Sequence, residues 1–387
     1  MSNVPQPIGP VSVGVVGAGQ LARMMGVDAH GAGVILTVLA TSPEDAAVAT
    51  SDHALFGAPT DDAALDQLAD QVDVITFDHE LVDLVQIATL EANGATVRPD
   101  SSALRYAVDK GYQRQRFDAN GIAVPRFIVV RSSNDSLVKP FLDAVTSVVV
   151  KAARGGYDGR GVRFPLSAGE AVHDIDELCS ATSTSIVVEE RLDLVAELAQ
   201  VVVRGVDGVV VAYPLVTTVQ SKGMCVEVRF PARVDEGVAA EAERLSRKIA
   251  TLTGAVGVVA VEFFLTAGGL VVNEIALRPH NSAHWTIEGA ATSQFANHLL
   301  AVSGRALGPA TAVVGAAVMV NVVGADQPGS VEGAQRVSGA HVHDYGKVWR
   351  TGRKLGHVTV VGDDATIAHV RAWESARAYG TETREQQ

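Results

Sequence analysis

Short apolar runs alternate with helix-like segments along the first hundred residues. The β-branched run VSVGVV covers residues 11–16, and similar runs follow at 34–39 and 72–77. Between these runs, a glycine turn leads into one helix-like segment, and residues 61–70 form another. Parallel strands need crossover connections, which are usually helices. The alternation therefore predicts βαβ units on a parallel sheet, as in α/β proteins.

The middle of the chain changes pattern twice. Residues 103–121, ALRYAVDKGYQRQRFDANG, predict one helix that Gly121 closes. Short strands then surround the glycine-rich stretch at 151–162, with a helix-like piece near 168–180, and β-rich runs dominate from residue 187. A new section of the chain is therefore expected from about residue 122.

One amphipathic helix interrupts the β-rich part. In EGVAAEAERLSRKIATLTG the apolar residues recur at steps of four and three, which predicts a single apolar face made of Val238, Ala242, Leu245, Ile249 and Leu252. Strand runs return at 313–323 and 357–361, with KVWRTGRK between them. These runs predict a β-rich C-terminal section.

Composition and charge narrow the classes of function. The 387 residues are 47% hydrophobic and 19% charged, which is typical of a soluble globular protein with more than one domain. The net charge of −13 argues against extended contact with nucleic acid, which needs clustered Lys and Arg. The N-terminus shows no secretory pattern, the longest apolar run is too short for a membrane span, and the two cysteines fit unpaired thiols. We expect a cytoplasmic protein that binds neither nucleic acid nor membranes.

The first glycine motif, GAGQLA at 17–22, follows a strand and opens a helix. Backbone N–H groups at a helix N-terminus bind phosphate, so a phosphate site is one interpretation. A glycine turn needed only for strand-to-helix packing is the other. A nicotinamide site is a weaker alternative, because Glu44 and Asp45 come late in the sequence for a ribose contact.

The second glycine-rich stretch, KAARGGYDGRGV, begins with Lys151 at the end of an apolar run. Its glycines let backbone N–H groups approach an anion closely, which suits a hairpin over nucleotide phosphates with the lysine on the preceding strand. It is not a Walker A loop, because the lysine precedes the glycines. An exposed hairpin is the alternative, but a plain turn has no need of Tyr157, Asp158 and Arg160 together.

The segment VGVVAVEFFLTAGGLVVNEIALRP predicts a hairpin that carries two glutamates. Pairing Thr266 with Leu270 and counting outward places Glu262 opposite Glu274 if no bulge shifts the register, with Cβ atoms about 4.5–5.5 Å apart. A divalent cation such as Mg²⁺ relieves the repulsion and can bridge substrate phosphates. Asn273 would face away, or towards the metal if the strand bulges. Two solvent-facing glutamates are the alternative, which the apolar neighbours disfavour.

Two histidines, His280 and His284, follow the hairpin four residues apart. Such a pair on a helix can bind zinc, but no third ligand follows at a recognisable spacing, and Pro279 indicates a loop or helix start. A substrate contact is the favoured interpretation of the pair, and a structural hydrogen-bonding role is the alternative.

Taken together, these motifs resemble the N5-carboxyaminoimidazole ribonucleotide synthase family of ATP-grasp enzymes. The resemblance runs in order from about residue 11 to about residue 373. It is carried by GQLARM at 19–24, KAARGGYDGRG at 151–161, VVEE at 187–190, Glu197, VEFF at 261–264, NEIALRPHNSAHWT at 273–286 and GRKLGH at 352–357. The combination of GGYDGRG with RPHNSAHWT is highly specific.

The resemblance implies the architecture and the reaction. It implies an ATP-grasp fold with a Rossmann-like pre-ATP-grasp domain at 1–105, a small lid domain at 106–186, a large ATP-grasp domain at 187–305 and a small β-rich domain at 306–387. The implied ligase carboxylates 5-aminoimidazole ribonucleotide with ATP and bicarbonate, through carboxyphosphate, in purine biosynthesis. It also implies Mg²⁺, or Mn²⁺ in its place, and a homodimer.

The resemblance also implies roles for individual residues. It implies catalytic roles for Lys151, Arg160 and Arg278, and metal binding by Glu262 and Glu274. It assigns ATP contacts to Lys110, Lys151, Gly156, Tyr157, Asp158, Gly159, Arg160, Gly161, Glu189, Glu190, Arg191, Leu192, Glu197, Gln220, Asn273 and Glu274. It assigns contacts with the ribonucleotide to Tyr157, Asp158, Arg160, Arg278, His280, Asn281, Lys347, Arg350 and Arg353.

Two positions depart from the family pattern, and other functions stay open. Gln220 stands where the family commonly has His, and FDHE at 77–80 replaces a more usual acidic-aromatic form. One alternative is another ATP-grasp ligase, such as a formate-dependent glycinamide ribonucleotide transformylase. A nucleotide-sensing protein without turnover and a nicotinamide oxidoreductase are the others.

Overall fold

A computed structural model describes residues 9–155, 161–221 and 223–381. Five residues of the predicted phosphate loop lie outside these ranges, and their predicted roles stay predictions: Gly156, Tyr157, Asp158, Gly159 and Arg160. Within the described ranges the strands form three sheets. No helix in this part of the chain has the length and apolar character needed to cross a bilayer.

The N-terminal section is a four-stranded parallel sheet, as the alternating pattern predicted. Its strands are β1 Val11–Val16, β2 Val34–Ala40, β3 His53–Phe56 and β4 Val74–Phe77, in the order β3-β2-β1-β4. The accompanying helices are α1 Gln20–Ala29, α2 Asp62–Ala69 and α3 Leu84–Ala92. The first glycine motif forms the turn between β1 and α1, at the carboxyl end of the sheet, where α/β proteins bind ligands.

The prediction of a single helix over 103–121 is wrong. The structure has two helices, α4 Ser101–Val108 and α5 Lys110–Ala119, which Asp109 separates. Asp109 adopts extended backbone angles, φ −122° and ψ 98°, and its carboxylate caps α5 by accepting the Tyr112 N–H at 2.9 Å. The physical reason is that an aspartate favours an N-cap over a helix interior.

The second sheet has four strands around a glycine-rich connection. Its elements are β5 Phe127–Val130, α6 Val138–Ala144, β6 Val148–Ala152, β7 Val162–Arg163, α7 Ala168–Thr182 and β8 Ile186–Glu190. The strand order is β5-β8-β6-β7, with antiparallel neighbours. Lys151 therefore lies on β6, beside β8. This agrees with the prediction that the lysine lies on the strand before the glycine-rich loop.

The third sheet is larger and continues to the end of the described chain. Its strands are β9 Ala196–Arg204, β10 Val210–Ala212, β11 Val216–Ser221, β12 Met224–Phe230, β13 Gly257–Thr266, β14 Gly269–Ala276, β15 Ala316–Val323, β16 Ala340–Asp344 and β17 Lys354–Gly362. They follow the order β14-β13-β9-β11-β12-β15-β17-β16, and β10 pairs with β9. The C-terminal strands thus extend the sheet that holds the glutamate hairpin.

Helices cover both parts of this sheet. They are α8 Glu236–Thr253, α9 Thr286–Gly289, α10 Gln294–Val302, α11 Val331–Gln335 and α12 Ala365–Tyr379. The predicted apolar face of α8 is confirmed, since Ala242, Leu245 and Ile249 are buried in the core beneath β9, β13 and β14. Helix α10 packs in the other direction, because its Phe295, Leu299 and Val302 join the core of the N-terminal sheet.

Candidate active site

The two glutamates of the hairpin lie opposite each other, as predicted, but the residue pairs between them and the turn differ from the predicted pairs. Thr266 pairs with Gly269 rather than Leu270, so the predicted starting pair is wrong by one residue. A bulge then shifts the register between Glu262 and Phe263 and restores the pairing of Glu262 with Glu274. A two-residue connection before Gly269, which has φ +110°, accounts for the shorter turn.

Asn273 is the extra residue of this bulge. It has no partner in the register, and its side chain turns to Glu262, whose Oε2 accepts a hydrogen bond from the Asn273 amide at 3.2 Å. A bulge places two residues of one strand against one of the other and re-aims their side chains. Three oxygen-bearing side chains therefore gather at one point: Glu262, Asn273 and Glu274.

The electrostatics of the pair are uneven. Burial, the charge of Glu274 and the charge of Glu197 raise the pKa of Glu262 to about 8. Burial also acts to raise the pKa of Glu274, but the positive charges of Lys110 and Lys151 lower it below its ordinary value. The Glu274 side chain is 44% exposed although protein charges surround it, so a ligand can reach it from solvent. The raised pKa of Glu262 reflects burial and the repulsion of neighbouring carboxylates, and a bound cation would relieve that repulsion.

The donor set fits Mg²⁺ that is shared with a substrate. Carboxylate and amide oxygens are hard ligands, and Mg²⁺ is commonly held by one or two carboxylates plus phosphate oxygens and water. Among the described residues there is no group of three or more His, Cys, Asp and Glu able to hold a metal ion alone. Glu262 and Glu274 would thus hold the ion together with phosphate.

A buried charge cluster lies beside the glutamates. The Lys151 ammonium contacts Glu189 Oε2 at 2.6 Å, and the Arg114 guanidinium contacts Glu189 Oε1 at 2.5 Å. Burial acts to raise the pKa of Glu189, but the two cations lower it to about 2, so Glu189 is charged. Lys110, one turn before Arg114 on α5, lies 3.7 Å from Glu274 Oε2. Lysines from two elements therefore face the glutamate site.

Some groups of the segment predicted to contact adenine, residues 189–192, are already bonded to other protein groups. Glu189 is 2% exposed and directs its carboxylate into the cluster. The N–H groups of Glu190 and Arg191 donate to the carbonyls of Arg126 and Ser147 at 2.8 and 2.9 Å. Glu189 and Glu190 are also paired in the sheet, with Phe127, Val149 and Val148, and the adenine contact of the segment stays a prediction.

Two further residues of the predicted ATP site lie on neighbouring strands. Glu197, on β9, pairs with Phe264 next to the hairpin glutamates, and burial raises its pKa. Gln220, on β11, lies opposite Cys225 where the register between β11 and β12 shifts. Gly161 has φ +74° and follows the undescribed part of the loop, so it suits a turn that a residue with a Cβ would strain.

Arg278 connects the hairpin to the N-terminal section. Its Nε donates to Glu80 Oε2 at 2.7 Å, and Glu80 Oε1 accepts the Leu277 N–H at 3.2 Å. Burial acts to lower the pKa of Arg278, but Glu80 raises it above the ordinary value. The family departure at 77–80 therefore keeps a carboxylate that orients Arg278.

The histidines differ in their surroundings. His280 lies 3.5 Å from Glu262 Oε1, and its Nδ1 is 2.9 Å from the Ser282 hydroxyl. Burial and the charge of Arg278 lower the pKa of His280 to about 3, so it is neutral at physiological pH. His284 is buried, with Nδ1 3.1 Å from the Gln294 amide. The geometry places His280 at the site and gives His284 a structural hydrogen bond.

Asn281 is the residue of this group with the clearest unmet hydrogen-bonding capacity. Its amide nitrogen and oxygen are both buried and form no hydrogen bond of ordinary geometry among the described residues. Burial raises the pKa of the nearby Cys225 thiol, and an interaction with the Asn281 side chain acts to lower it. Buried polar groups are almost always paired, so such a side chain indicates a bound molecule or water. This supports the prediction that Asn281 contacts a substrate.

The glycine turn at 17–22 is occupied by a protein carboxylate. Asp78 Oδ2 accepts the Gly19 N–H at 2.6 Å, and a Cβ on Gly17 would lie 2.1 Å from Asp78 Oδ1. The two glycines are thus required for close packing against Asp78, which favours the structural interpretation for them. A dinucleotide phosphate at the same N–H would meet this carboxylate, so the nicotinamide alternative loses its support.

Gln20, in the same turn, points elsewhere. Its Oε1 accepts a hydrogen bond from the Lys347 ammonium at 2.6 Å, although the two residues are far apart in sequence. Arg353 and Arg350 lie in the same connection between β16 and β17, and Arg353 donates to the Val348 carbonyl at 3.2 Å. The fold therefore brings Lys347, one of the predicted phosphate-binding cations, to the glycine turn.

Three side chains of the site were missed from the sequence. Arg114 and Glu80 are joined to predicted residues by ion pairs, and Lys354 lowers the pKa values of His280 and His284, which burial lowers first. The only sequence signal for Arg114 was its spacing of four from Lys110 on one helix, which places both on one face. The sequence signal for Lys354 was its position next to Arg353. The signal for Glu80 was its position in FDHE, the segment that departs from the family pattern.

Comparisons with known proteins agree with this geometry. Models of the ribonucleotide synthetase preATP-grasp domain, the ATP-grasp domain and the phosphoribosylaminoimidazole carboxylase C-terminal domain match residues 11–108, 115–295 and 317–371. The N5-carboxyaminoimidazole ribonucleotide synthase of Mycobacterium bovis is 45% identical over 370 residues, which cover 93% of this chain and 86% of that protein. The chain belongs to the N5-carboxyaminoimidazole ribonucleotide synthase family.

Solved structures of N5-carboxyaminoimidazole ribonucleotide synthases show the same fold. The Staphylococcus aureus enzyme in complex with ADP has a TM-score of 0.88 at 28% identity and covers 97% of this chain and 99% of its own. The Aspergillus clavatus enzyme, in complex with ADP and 5-aminoimidazole ribonucleotide, has a TM-score of 0.86 at 28% identity and covers 96% and 99%. The predicted family and ATP-grasp fold are confirmed.

Proposed function

We propose that this N5-carboxyaminoimidazole ribonucleotide synthase family member carboxylates the exocyclic amine of 5-aminoimidazole ribonucleotide, using ATP and bicarbonate. The observation that carries the proposal is the cluster of Glu262, Asn273 and Glu274 across the bulged hairpin, with Lys110 and Lys151 beside it. This arrangement suits a triphosphate with its metal. Membership of a family of ATP-grasp ligases supplies the reaction class.

The reaction proceeds in two transfers. An oxygen of bicarbonate attacks the γ-phosphorus of ATP, the bond to the β-phosphate oxygen breaks, and ADP leaves. The resulting carboxyphosphate delivers its carboxyl group, directly or as CO₂, to the amine, which loses a proton as phosphate is released. The products are N5-carboxyaminoimidazole ribonucleotide, ADP and phosphate.

All three substrates are anions and repel one another, so the site needs positive charges that hold them together. Lys151 and Lys110 would hold the phosphates of ATP, and Arg278, oriented by Glu80, would neutralise charge on the transferring group. Glu262 and Glu274 would hold Mg²⁺, which would supply further neutralisation of the phosphate charge when it is bound. His280 stays neutral and can accept or donate a hydrogen bond at the acceptor.

The acceptor would lie between the N-terminal turn and the C-terminal connection. Lys347, next to Gln20, and Arg353 would bind its 5′-phosphate, for which a guanidinium offers two parallel hydrogen bonds. Asn281, His280 and Arg278 would then face the base. Arg350 is exposed in the same connection and would assist at the phosphate.

The glycine-rich loop is proposed as a lid that excludes water from carboxyphosphate. Its Tyr157, Asp158 and Arg160 would meet the acceptor as the loop closes. The Arg160→Ala variant should therefore raise the KM for the ribonucleotide more than the dissociation constant for ATP. Equal losses in steady-state kinetics and in ATP titrations would contradict this division of roles.

The proposed setting follows the family. We propose a cytoplasmic homodimer that uses Mg²⁺, or Mn²⁺ in its place, with small-molecule substrates and neither nucleic acid nor membrane as a partner. Sedimentation at several protein concentrations would measure the oligomeric state. A concentration-independent monomer would contradict the dimer.

The deciding experiment measures phosphate release. Purified protein with ATP, Mg²⁺ and bicarbonate should release phosphate at a rate that depends strongly on 5-aminoimidazole ribonucleotide. A parallel reaction should contain formate and glycinamide ribonucleotide in place of bicarbonate and the aminoimidazole. Phosphate release only in the parallel reaction, or release independent of any ribonucleotide, would overturn the proposed function.

A further inference from the structure

Arg114 is a fully buried cation that none of the assigned roles explains. It lies in the middle of α5 with 1% of its side chain exposed. Burying a guanidinium is costly unless its N–H groups are paired. Its Nε donates to Glu189 at 2.5 Å, its Nη1 donates to the Gln113 side chain at 2.8 Å, and its Nη2 donates to the carbonyl of Asn273.

The first of these contacts leads to the nucleotide lysine. Glu189 is shared by Arg114 and Lys151, so two cations face one carboxylate and the triad keeps one net positive charge. Without Arg114, Lys151 and Glu189 would form a neutral ion pair. The positive charge available to the phosphates of ATP would fall by one.

The contact with the Asn273 carbonyl leads to the glutamate hairpin. A bulged residue leaves the hydrogen-bond ladder, so the Asn273 carbonyl needs a donor from elsewhere. Arg114 supplies that donor, while the Asn273 side chain supports Glu262 and the next residue is Glu274. The guanidinium therefore holds the backbone at the point from which the glutamates are aimed.

Helix α5 itself is fastened at both ends. The N–H of Lys110, at its start, donates to the Ala153 carbonyl beside the phosphate loop at 2.9 Å. Beyond its end, Asn120 accepts a hydrogen bond from Lys248 at 2.6 Å, and Ala123 accepts one from the Val272 N–H at 2.8 Å. The helix thus joins the sheet that carries Lys151 to the hairpin that carries the glutamates.

We propose that Arg114 is a positioning residue for phosphoryl transfer, which holds Lys151 in register with the bulged strand of Glu262 and Glu274. This inference rests on the proposed function. One guanidinium does two separable things: it keeps a positive charge next to Lys151, and it fixes the Asn273 carbonyl. A lysine could do only the first.

Three variants separate the two effects. Arg114→Lys keeps the charge but cannot reproduce the fork of donors, so it should bind MgATP within about threefold of wild type and lose about tenfold or more in kcat. Arg114→Met should weaken MgATP binding about tenfold and lose kcat as well. Arg114→Met combined with Glu189→Gln restores one net positive charge at Lys151, so the affinity should recover while kcat stays low.

The measurements are MgATP titration by calorimetry in the absence of the ribonucleotide and kcat from phosphate release with all substrates present. Thermal unfolding and circular dichroism establish that each variant is folded. Arg244→Met is the matched control, because Arg244 is an exposed arginine on α8 that also pairs with a glutamate, through two hydrogen bonds of 2.7 Å to Glu241. Its affinity and kcat should equal those of wild type.

Clear results would overturn the inference. Folded Arg114 variants with wild-type affinity and kcat would leave Arg114 a purely structural residue. A double variant that fails to regain affinity would refute the charge effect, and one that regains kcat would refute the carbonyl contact. If Arg114→Met does not fold, Arg114→Lys alone tests the inference. Near wild-type MgATP affinity with reduced kcat would support it, and unchanged kcat would contradict it. If the wild type shows no ribonucleotide dependence, the proposed function fails instead.

Discussion

At the scale of single residues, the side chains that form the site were easier to predict than the residues they contact. Glu262 and Glu274 could be paired by counting along a hairpin, because strand geometry has a fixed period of two. The starting pair was nevertheless wrong, and only a bulge restored the result. Bulges depend on tertiary partners such as Arg114, so no local pattern announces them. The same holds for Glu80, whose partner Arg278 lies 198 residues away.

The clearest test at this scale is Glu274→Gln. The amide keeps the size of the side chain but removes the charge that faces Lys110 and that would bind the proposed metal, so turnover should fall at least about a hundredfold. Phosphate release measures it, and Mg²⁺ titration should show a higher requirement. Glu241→Gln, at a glutamate on α8 whose side chain is 42% exposed, is the control and should keep full activity. Near-normal turnover of Glu274→Gln would refute the metal role.

At the scale of elements, strong periodicity was a reliable guide and boundaries were not. The parallel strands and α8 follow directly from their apolar patterns. The break between α4 and α5 was missed because the apolar and polar pattern continues across it. Asp109 interrupts the helix through its own cap and through a contact with Arg154 at 2.8 Å, which requires the neighbouring sheet.

A glycine at the start of β13 gives an element-scale prediction. Gly257 has φ +112°, and a Cβ there would lie 2.8 Å from two ring atoms of His298. Gly257→Ala should therefore lower the free energy of unfolding by about 2 kcal/mol or more, from backbone strain and displacement of the ring. Urea unfolding measures the loss.

Gly237→Ala is the matched control, because Gly237 lies in the first turn of α8 with open space around its Cα. Alanine favours a helix, so this change should be neutral or stabilise by up to about 1 kcal/mol. Equal destabilisation by the two substitutions would show that the surroundings of Gly257 do not matter.

At the scale of the whole molecule, the sequence indicated the family but not how its parts meet. The continuity of β12 with β15 and the Gln20–Lys347 contact join segments that are distant in sequence. His298 on α10 is another such contact. Its Nδ1 accepts the Val258 N–H at 3.1 Å, so its Nε2 carries the hydrogen and donates to Thr76 of the N-terminal sheet at 2.9 Å.

This buried histidine makes stability depend on pH. Burial lowers the pKa of His298 to about 3, whereas in the unfolded chain it has the ordinary value of about 6.5. Below pH 6.5 the unfolded state therefore binds a proton that the folded state does not. Stability should fall by about 1.4 kcal/mol for each pH unit from about 6.5 towards 3 on account of this residue.

His298→Gln isolates that contribution, because glutamine can make both hydrogen bonds but does not titrate. Urea unfolding at about pH 7, 6 and 5 should show a shallower decline for the variant than for wild type, by about one proton. His30→Gln replaces an exposed histidine at the end of α1 and should follow the wild-type curve. Parallel curves for wild type and His298→Gln would show that His298 does not contribute.

The large sheet has a consequence for the distance between the two ends of the proposed site. The connection that holds Lys347 and Arg353 leaves β16 and enters β17, and hydrogen-bonded neighbours link β17 step by step to the hairpin of Glu262 and Glu274. Strand spacing is nearly invariant, at about 4.8 Å for each step. The span between the two sites is thus set by the backbone itself. In the proposed function, this span would separate the 5′-phosphate of the acceptor from the metal and the phosphates of ATP, so one backbone framework would hold the two substrates at a fixed distance from each other.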